Sequence, residues 1–291
     1  MTRTSELGEF LRSRRALLTP DHVGIPTYGT RRVPGLRREE LAQLAGVSLT
    51  YYTRLEQGQS SNASESVIDA LARALELDDD ERAHLHDLAR PARSGRRRPA
   101  RPDRARPGTV ALVEAMQDVP AVVLGLRSEV LAWNRLGHLL LAGHLAYESP
   151  TVTAERPNLI RMLFLDPHTR ELHRDWEQEV TLAVASQRFI AAQHADDREL
   201  AELVGELSLK SPEYARLWAR HPVQRCTSGT KRLHHPHVGE IELGYQVLHL
   251  PDTSGQRIIT YTAEPGSPSA SALQLLSTAA TPAGHGVGVR G

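Results

Sequence analysis

The sequence predicts a multidomain chain, in which an all-α domain of five helices is followed by an α+β domain with an antiparallel sheet. Three observations predict this fold class. The first 90 residues carry apolar side chains at helical spacing. An Arg- and Pro-rich stretch follows, and beyond it two groups of alternating apolar and polar segments enclose a run of helical ones. At 291 residues the chain is long enough for two domains.

The N-terminal domain is expected over residues 1–90. Its first helix is predicted in SELGEFLRSRRALL, with Ser5 as the N-cap. Three Pro and three Gly over residues 19–35 indicate a loop. Two short helices follow in RREELAQLAGVSLTYYTRLEQG, residues 37–58, where Gly46-Val47-Ser48 joins them.

Two further helices complete this domain. SESVIDALARALEL has Ile68, Leu71 and Leu75 on one face, as an amphipathic helix requires. DDDERAHLHDLAR begins with Asp78 and has Glu81 three residues later, which is close to a capping box. The count of five helices follows from these segments.

Residues 91–108 hold seven Arg and four Pro and are interpreted as a linker stiffened by proline and charge repulsion. Contact of these arginines with nucleic-acid phosphates is the alternative.

The second domain is expected over 109–277 and a disordered tail over 278–291. Its first segments predict a helix in TVALVEAMQD and two strands in AVVLGLRSEVLAW. The helices that follow are predicted in NRLGHLLLAG, NLIRMLFLD, RELHRDWEQEVTLAVASQRFIAAQ, DRELAELVGEL and PEYARLWARH, and the last strands in QRCTSGTKRLHH, EIELGYQVLHL and QRIITYTAE.

The net charge is zero, but the two parts of the chain differ in sign. Residues 1–107 hold 19 Arg against 15 Asp and Glu, and the remainder holds 16 Lys and Arg against 20 acidic residues. This asymmetry indicates different partners for the two parts.

The single cysteine, Cys226, excludes an intrachain disulfide, and no apolar run is long enough to span a membrane. The start of the chain does not look like a secretory signal. We therefore expect a cytoplasmic protein without membrane contact.

The stretch over residues 37–58 has the features of a helix-turn-helix, in which the second helix enters the DNA major groove. Gly46 stands at the turn, where a positive φ is required, and Ala42 stands where the helices approach. Ser48 is expected to cap the second helix. The remaining inward positions are apolar: Leu41, Ala45, Val47, Tyr52 and Leu55. An αα-hairpin with a solvated outer face is the alternative.

The second helix of this motif has one side that its own domain does not need. At about 100° per residue, Ser48, Tyr52 and Leu55 fall together and point inward. Arginine pairs bidentately with guanine and Thr or Leu methyl groups contact the thymine methyl, so the other side suits base edges. Arginines at the start of the preceding helix are placed to meet phosphate. The predicted DNA-binding residues are Arg37, Arg38, Ser48, Leu49, Thr50, Tyr51, Thr53, Arg54 and Gln57.

The quoted stretch resembles the lambda-repressor-like, or XRE, helix-turn-helix family, and a longer pattern is similar to MmyB-like transcription regulators of actinomycetes. GEFLRSRRALLTPDHVG, VIDALARALELDDDERAHLHDLA, VLAWNRLG, RPNLIRMLFLDP, DWEQEV, SPEYARLWARH, KRLHHPHVGEIEL and YTAEPGSPSASALQLL carry this resemblance. It implies a five-helix DNA-binding domain followed by a PAS-like domain that binds a small effector, with a fatty acid as one example. Two positions depart from the family pattern. Pro222 stands where the family usually has Asp, and QSSNAS after Gly58 lacks the usual basic residue and proline.

The three tryptophans all lie in the second domain, next to apolar runs. They either build its core or wall a mostly apolar ligand cavity with a few polar anchors. An arginine in such a cavity would suit a carboxylate headgroup. The predicted ligand-binding residues, which rest largely on the resemblance, are Trp133, Asn134, Asn158, Arg161 and Arg188.

Catalytic and metal-binding motifs are weak in this sequence. His234, His235 and His237 with Glu240 and Glu242 could be read as a metal site, but spacing alone does not show that the ligands converge. The GxGxxG spacing at 286–291 has no strand before it and no helix after it. We therefore expect no enzyme activity, no metal and no cofactor.

The sequence thus predicts a sequence-specific DNA-binding transcription regulator whose C-terminal domain senses a small, fatty-acyl ligand. Because one such helix reads only a few base pairs, we expect a homodimer on a palindromic double-stranded operator. Two alternatives remain open. In the first, the C-terminal half is a protein-interaction module without a small ligand, and in the second the chain is a metal-dependent enzyme that uses the histidine cluster.

Overall fold

The N-terminal part of the chain is all-helical in the computed structural model, which describes residues 3–25, 33, 35–59, 63–90, 104–251 and 255–280. Its helices are α1 (Arg3–Leu17), α2 (Arg38–Leu44), α3 (Leu49–Glu56), α4 (Glu65–Ala74) and α5 (Asp79–Ala89). The five predicted helices are therefore present. The expected cap at Ser5 is wrong, because α1 already begins at Arg3 and Ser5 lies inside its first turn.

Helices α3, α4 and α5 are each capped by a side-chain oxygen of the residue just before the helix. Ser48 accepts a hydrogen bond from the backbone N–H of Tyr51, and Ser64 accepts one from Val67. At α5 the carboxylates of Asp78 and Glu81 each accept from the other's backbone N–H, which confirms the predicted capping box. These bonds satisfy N–H groups that the first turn of a helix leaves without partners.

The C-terminal part is α+β, with helices around one five-stranded sheet. Its helices are α6 (Pro107–Ala115), α7 (Arg135–Ala142), α8 (Leu159–Leu165), α9 (Pro167–Leu172), α10 (Trp176–Gln193), α11 (Arg198–Lys210), α12 (Pro212–Ala219) and α13 (Pro268–Ala280). Its strands are β1 (Ala121–Leu124), β2 (Val130–Trp133), β3 (Ser228–His235), β4 (Gly239–His249) and β5 (Arg257–Thr262). The predicted fold class is confirmed.

The sheet has the strand order β2-β1-β5-β4-β3, and every neighbouring pair is antiparallel. Tyr245 pairs with Tyr261 and with Gly229, and Leu243 pairs with Lys231. Residues paired across strands point to the same face, so this register gathers one set of side chains on the inner face of the sheet. That face packs into a hydrophobic core with Leu136, Leu140 and Leu276 from α7 and α13, among others.

The predicted ends of several elements shift. Helix α6 begins at Pro107, which supplies the first helical position, so the linker does not extend to 108. Helix α13 runs to Ala280, past the expected end of the second domain at 277. Most of the predicted linker and tail, residues 91–103 and 281–291, lies outside the described residues.

The chain divides into two compact units that do not coincide with the expected domains. Unit 1 comprises residues 1–97 together with 184–225, and unit 2 comprises 98–183 together with 226–291. Residues 184–225, which the sequence assigned to the second domain, thus fold with the N-terminal helices. The bounds of the functional domains stay a prediction. In the part of the chain that the structure describes, no helix is both long and apolar enough to cross a membrane.

Candidate nucleic-acid interface and ligand-binding core

The turn between α2 and α3 has the geometry that its sequence predicts. Gly46 adopts a φ of 66°, where a side chain would be strained. Its N–H donates to the carbonyl of Gln43, and the N–H of Val47 donates to that of Ala42, which closes the end of α2. Ser48 then caps α3. The two helices are therefore held in a short, tight connection of the helix-turn-helix kind.

Helix α3 has one buried side and one exposed side. Tyr52 and Leu55 are wholly buried. Leu49, by contrast, is 46% exposed. The predicted outward residues that are exposed with it are Thr50, Arg54 and Gln57. This division matches the projection from the sequence at most positions.

At three positions the observed burial does not follow a simple division of α3 into an inward and an outward side. Ser48 was placed inward, but its residue is exposed while its hydroxyl serves as the cap. Thr53 is half-buried, and Tyr51 is half-buried against the N-terminal core. Tyr51 therefore supports the position of α3 as well as contributing to its outer surface.

A buried carboxylate at the end of α3 is not apparent from the sequence. The side chain of Glu56 is 0% exposed and accepts hydrogen bonds from Arg15, Arg38 and Tyr52. The Arg15 guanidinium lies 2.9 Å away through Nε and 2.7 Å away through Nη2, and its Nη1 donates to the Leu36 carbonyl. Burial by itself would raise the pKa of Glu56, but hydrogen bonds from Arg38 and Arg15 outweigh it and lower the pKa. Glu56 is therefore charged, and it ties α3 to α1 and α2.

Helix α1 approaches the end of α3 so closely that only glycine fits. A Cβ atom built on Gly8 would lie 2.2 Å from the carbonyl oxygen of Glu56 and 2.8 Å from its carbonyl carbon. Both atoms are backbone, so no side-chain rotation can relieve the clash. The end of α3 is thus held against α1 by the close approach at Gly8 and by the ion pair of Arg15 with Glu56.

The two arginines at the start of α2 are held differently. The Nε of Arg38 donates to Glu56, while its side chain remains 44% exposed. The backbone N–H of Arg37 donates to the Glu40 carboxylate over 2.6 Å, and its guanidinium lies 3.5 Å from Glu39. Both groups stand at the N-terminal end of α2, where the helix dipole favours an anion. Their contact with phosphate stays a prediction.

The polar groups of Trp133 and Asn134 form hydrogen bonds with backbone groups of the protein. Trp133 Nε1 donates to the Tyr147 carbonyl over 2.8 Å. Asn134 Oδ1 accepts from the N–H groups of Ala121 and Gly137, and Nδ2 donates to two further carbonyls, of Met116 and Val119. An amide has two donor hydrogens and two acceptor lone pairs, so Asn134 has none left for a ligand.

The other predicted ligand anchors are Asn158, Arg161 and Arg188. Asn158 caps α8 through Oδ1 and donates to the Arg127 carbonyl. Arg161 is exposed. Arg188 belongs to unit 1, whereas the other four predicted ligand-binding residues belong to unit 2. Its guanidinium donates to the Trp218 carbonyl and lies 4.0 Å from the centre of the Trp218 ring. The ligand-binding role of these five residues stays a prediction.

A polar cluster on the inner face of the sheet was also missed. Lys231 forms an ion pair with Glu179 of α10, and both side chains are largely buried. The Lys231 ammonium lies 4.9 Å from the centre of the Tyr245 ring, and the Tyr245 hydroxyl lies 2.9 Å from Cys226 Sγ. Tyr261, paired with Tyr245 across the strands, is buried beside them. Burial and the Cys226 hydrogen bond raise the pKa of Tyr245, so its hydroxyl stays protonated at neutral pH.

The alternation of GTKRLHH and ELGYQV could have revealed this cluster. In β3, Lys231 occupies the same face as Leu233, and in β4, Tyr245 occupies the same face as Leu243. A lysine at an inward position of a strand requires a partner, and a sequence alone does not identify Glu179 as that partner.

The histidines that suggested a metal site do not converge. His234 is exposed and pairs with Glu240 over 2.9 Å, whereas His235 is buried and its Nε2 lies 3.0 Å from the Leu139 carbonyl. The two side chains point to opposite faces of β3. Among the described residues no group of three or more His, Cys, Asp or Glu is arranged to hold a metal ion.

Comparison with protein families matches both parts of the chain. Residues 105–276 match the MmyB-like transcription regulator ligand binding domain, which covers more than half of the 291 residues. Residues 6–85 match a helix-turn-helix domain. These two matches confirm the resemblance seen in the sequence. No curated protein matches the chain.

Proposed function

Because the chain belongs to the MmyB-like transcription regulators and is a DNA-binding regulator with a ligand-binding domain, we propose that the outward face of α3 reads bases in a palindromic duplex and that the inner face of the sheet senses an acyl ligand. The single observation that carries the DNA-binding part is the two-sided burial of α3. Its inward side is closed by Tyr52, Leu55 and Glu56, and its exposed side presents Leu49, Thr50 and Arg54.

Arg54 is the residue best suited to select a base. It is exposed on the last turn of α3, and its side chain has no hydrogen bond or ion pair within the described residues. A guanidinium can donate two parallel hydrogen bonds to guanine O6 and N7, and each such pair contributes about 1–3 kcal/mol of discrimination. Leu49 and Thr50 at the start of the helix present methyl groups suited to thymine.

One helix of this kind covers too few base pairs for a unique operator. We infer that the chain acts as a homodimer, so that two copies of α3 read two half-sites about one helical turn apart. The palindrome expected in the operator would mirror the two-fold symmetry of such a dimer.

Selection of bound sequences from a random duplex library tests this assignment. The full chain is expected to enrich a palindrome, and Arg54→Ala is expected to relax the preference at one position in each half-site. Arg82→Ala is the matched control, because Arg82 is also exposed but lies on α5. Enrichment of the same motif with the same strength by Arg54→Ala and wild type would falsify the assignment of Arg54.

The ligand-binding part rests on the chemistry of the inner sheet face. Apolar side chains such as Leu233, Ile241 and Leu243 border the polar cluster of Lys231, Tyr245 and Tyr261. This combination suits a molecule with an apolar chain and one anionic end, because the ammonium and the phenols can donate to oxygen while the rest stays in an apolar environment. A fatty-acyl carboxylate has this chemistry.

Native mass spectrometry of the purified full chain tests the ligand. We expect a co-purifying acyl molecule, and occupancy reduced roughly tenfold in Lys231→Met, since a hydrogen bond to a charged group is removed. Lys210→Met, an exposed lysine on α11, is the control. If wild type carries no small molecule and takes up none of a series of fatty acids, the C-terminal domain is better explained as a protein-interaction module.

A further inference from the structure

Residues 184–225 complete the hydrophobic core of the DNA-binding helices. Phe189, Ala192 and Val223 are buried in the same cluster as Phe10 of α1 and Leu85 of α5. This segment lies within the match to the ligand-binding domain, at residues 105–276, yet it folds in unit 1 with the N-terminal helices. The core of the DNA-binding part is therefore built from two separate stretches of chain.

The His84 ring of α5 contacts aromatic residues from both stretches of chain that build this core. The His84 ring packs edge-on against Phe10 with ring centres 4.9 Å apart, and its centre lies 6.5 Å from that of Phe189. His84 is buried, and its pKa is lowered to about 3 by burial and by the nearby charges of Arg188 and Arg14. A neutral imidazole thus fills the space between α1, α5 and the second half of α10.

Polar contacts hold the same segment to α5. Asp80, in the first turn of α5, accepts two hydrogen bonds from Arg225, from Nε over 2.6 Å and from the backbone N–H over 2.7 Å. Near the other end of α5, Asp87 accepts from Gln193 Nε2 over 3.0 Å. Helix α5 is therefore fastened to residues 184–225 at both ends.

Helix α1 is held to the segment as well. Arg14 donates through Nη2 to the carbonyl of His221 over 2.7 Å, and its Nε lies 3.1 Å from Glu81 of α5. His221 adopts a φ of 53°, which is costly for a residue with a side chain and places its carbonyl after the end of α12. Since α1 and α5 both contact this segment, a change in its position would reach both helices, and Gly8 and Arg15 of α1 contact the end of α3.

Helix α10 is common to the two compact units. Its residues 176–183 belong to unit 2, where Glu179 pairs with Lys231 of the sheet, and its residues 184–193 belong to unit 1, where Phe189 is buried. The helix is continuous over 18 residues from Trp176 to Gln193. One continuous helix therefore carries both Glu179, which pairs with Lys231 of the sheet, and Phe189, which is buried in the core of the N-terminal helices.

We propose that α10 and the segment that follows it, up to Arg225, form the element through which a ligand on the inner sheet face changes the DNA-binding helices. This rests on the proposed function, because the ligand must alter the Glu179–Lys231 pair. A ligand anion that binds Lys231 competes with Glu179, which loosens the first half of α10. Coupling requires that the ligand binds the two arrangements unequally, and competition for one ammonium provides that difference.

Hydrogen exchange of the full chain tests this inference without an identified ligand. Glu179→Gln removes the charge that pairs with Lys231 and is expected to speed amide exchange in α5 as well as in α10, roughly tenfold, as loss of a charged hydrogen bond predicts. Glu177→Gln is the matched control, because Glu177 is exposed on the same helix two positions earlier. It should exchange like wild type throughout.

A second variant tests the contact between the segment and α5 by a substitution that lies in unit 1. Arg225→Gln removes the side-chain contact with Asp80 and should speed exchange in α5 while β3 exchanges as in wild type. The inference is overturned if α5 exchange in Glu179→Gln equals that of Glu177→Gln, or if α5 is unaffected by Arg225→Gln.

The outcomes for coupling and for DNA binding can be told apart. If no duplex is selected by the full chain but α5 responds to Glu179→Gln, the proposed function fails and the coupling stands. If a palindrome is selected and α5 does not respond, the coupling fails and the DNA-binding assignment stands.

Discussion

Glu56 accepts a hydrogen bond from Arg15 Nε over 2.9 Å, although the two residues are 41 positions apart in the chain. This pair connects the last residue of α3 to α1, on the opposite side from the exposed surface that carries Arg54. The position of the proposed DNA-reading face therefore depends on a charge that is fully buried in the protein.

Glu56→Gln is expected to lower the free energy of unfolding by about 3–5 kcal/mol, because it leaves Arg15 buried without its counter-charge. The folded state lowers the pKa of Glu56, so its contribution is fully present above the ordinary carboxyl value of 4.5 and is lost as pH falls below it. Chemical denaturation of wild type and variant between pH 3 and about pH 7 measures this difference. Glu65→Gln, exposed on α4, should change little. Equal stability of Glu56→Gln and wild type at neutral pH would contradict the prediction.

Gly8→Ala should destabilise unit 1 severely, by at least about 3 kcal/mol, since the added methyl group meets the Glu56 backbone. Gly205→Ala supplies the opposite control. Gly205 lies inside α11 with no atom near its missing Cβ, so alanine there should stabilise the helix by about 0.5–1 kcal/mol. Thermal unfolding of both variants distinguishes a specific close approach from a general intolerance of alanine, which would lower both midpoints.

Asn134→Ala is expected to cost about 2–4 kcal/mol of stability, because four backbone groups lose the partner that satisfies them. Asn134→Asp should also destabilise, since a carboxylate cannot donate to the two carbonyls. The control is Gln178→Ala at an exposed position of α10. If Asn134→Ala kept full stability and lost only ligand occupancy, Asn134 would be a ligand anchor and not a structural amide.

Arg37→Ala and Arg38→Ala should differ in a way that separates phosphate contact from support of α3. Arg37→Ala is expected to reduce the salt dependence of DNA binding by about one counterion without loss of stability. Arg38→Ala should reduce both the salt dependence and the stability, because Arg38 also pairs with Glu56. Binding titrations at several salt concentrations and denaturation curves measure the two effects. An unchanged salt slope in both variants would remove both residues from the interface.

His84→Phe should flatten the acid dependence of stability. Folding lowers the pKa of His84 from 6.5 to about 3, so the unfolded chain binds a proton there below pH 6.5 that the folded chain does not. Stability contributed by the neutral ring is therefore present above pH 6.5 and falls progressively toward pH 3. His221, with a pKa lowered to about 4, adds a second loss over a similar range. Denaturation midpoints between pH 4 and about pH 7 should fall less in His84→Phe than in wild type, and parallel curves would oppose this account.

The local features of the DNA-binding part could be predicted from the sequence because each depends on neighbouring residues. Gly46 at the turn, the cap at Ser48 and the inward positions of Tyr52 and Leu55 all follow from spacing within one short segment. The Asp78 capping box is predictable for the same reason.

What could not be predicted depends on residues far apart in the chain. Glu56 looks like a surface residue until α1 brings Arg15 beside it. The cluster around Tyr245 depends on strand register, and the sequence shows that α10 is apolar without showing which helices cover Phe189. The helix-capping roles of Asn134 and Asn158 were likewise not predicted, because their choice as ligand anchors rests largely on the family resemblance; that ligand-binding role stays a prediction.

The contribution of Phe189, Ala192 and Val223 to the N-terminal core also limits how such regulators can be recombined. A chimera joined in the Arg- and Pro-rich stretch, where sequence alone would place the cut, takes its operator preference from one parent and these three side chains from the other. The N-terminal helices of two parent proteins can be exchanged freely only if α1 and α5 of each parent pack against residues 184–225 of the other. Operator choice and effector choice in this architecture are therefore expected to be inherited as a matched pair.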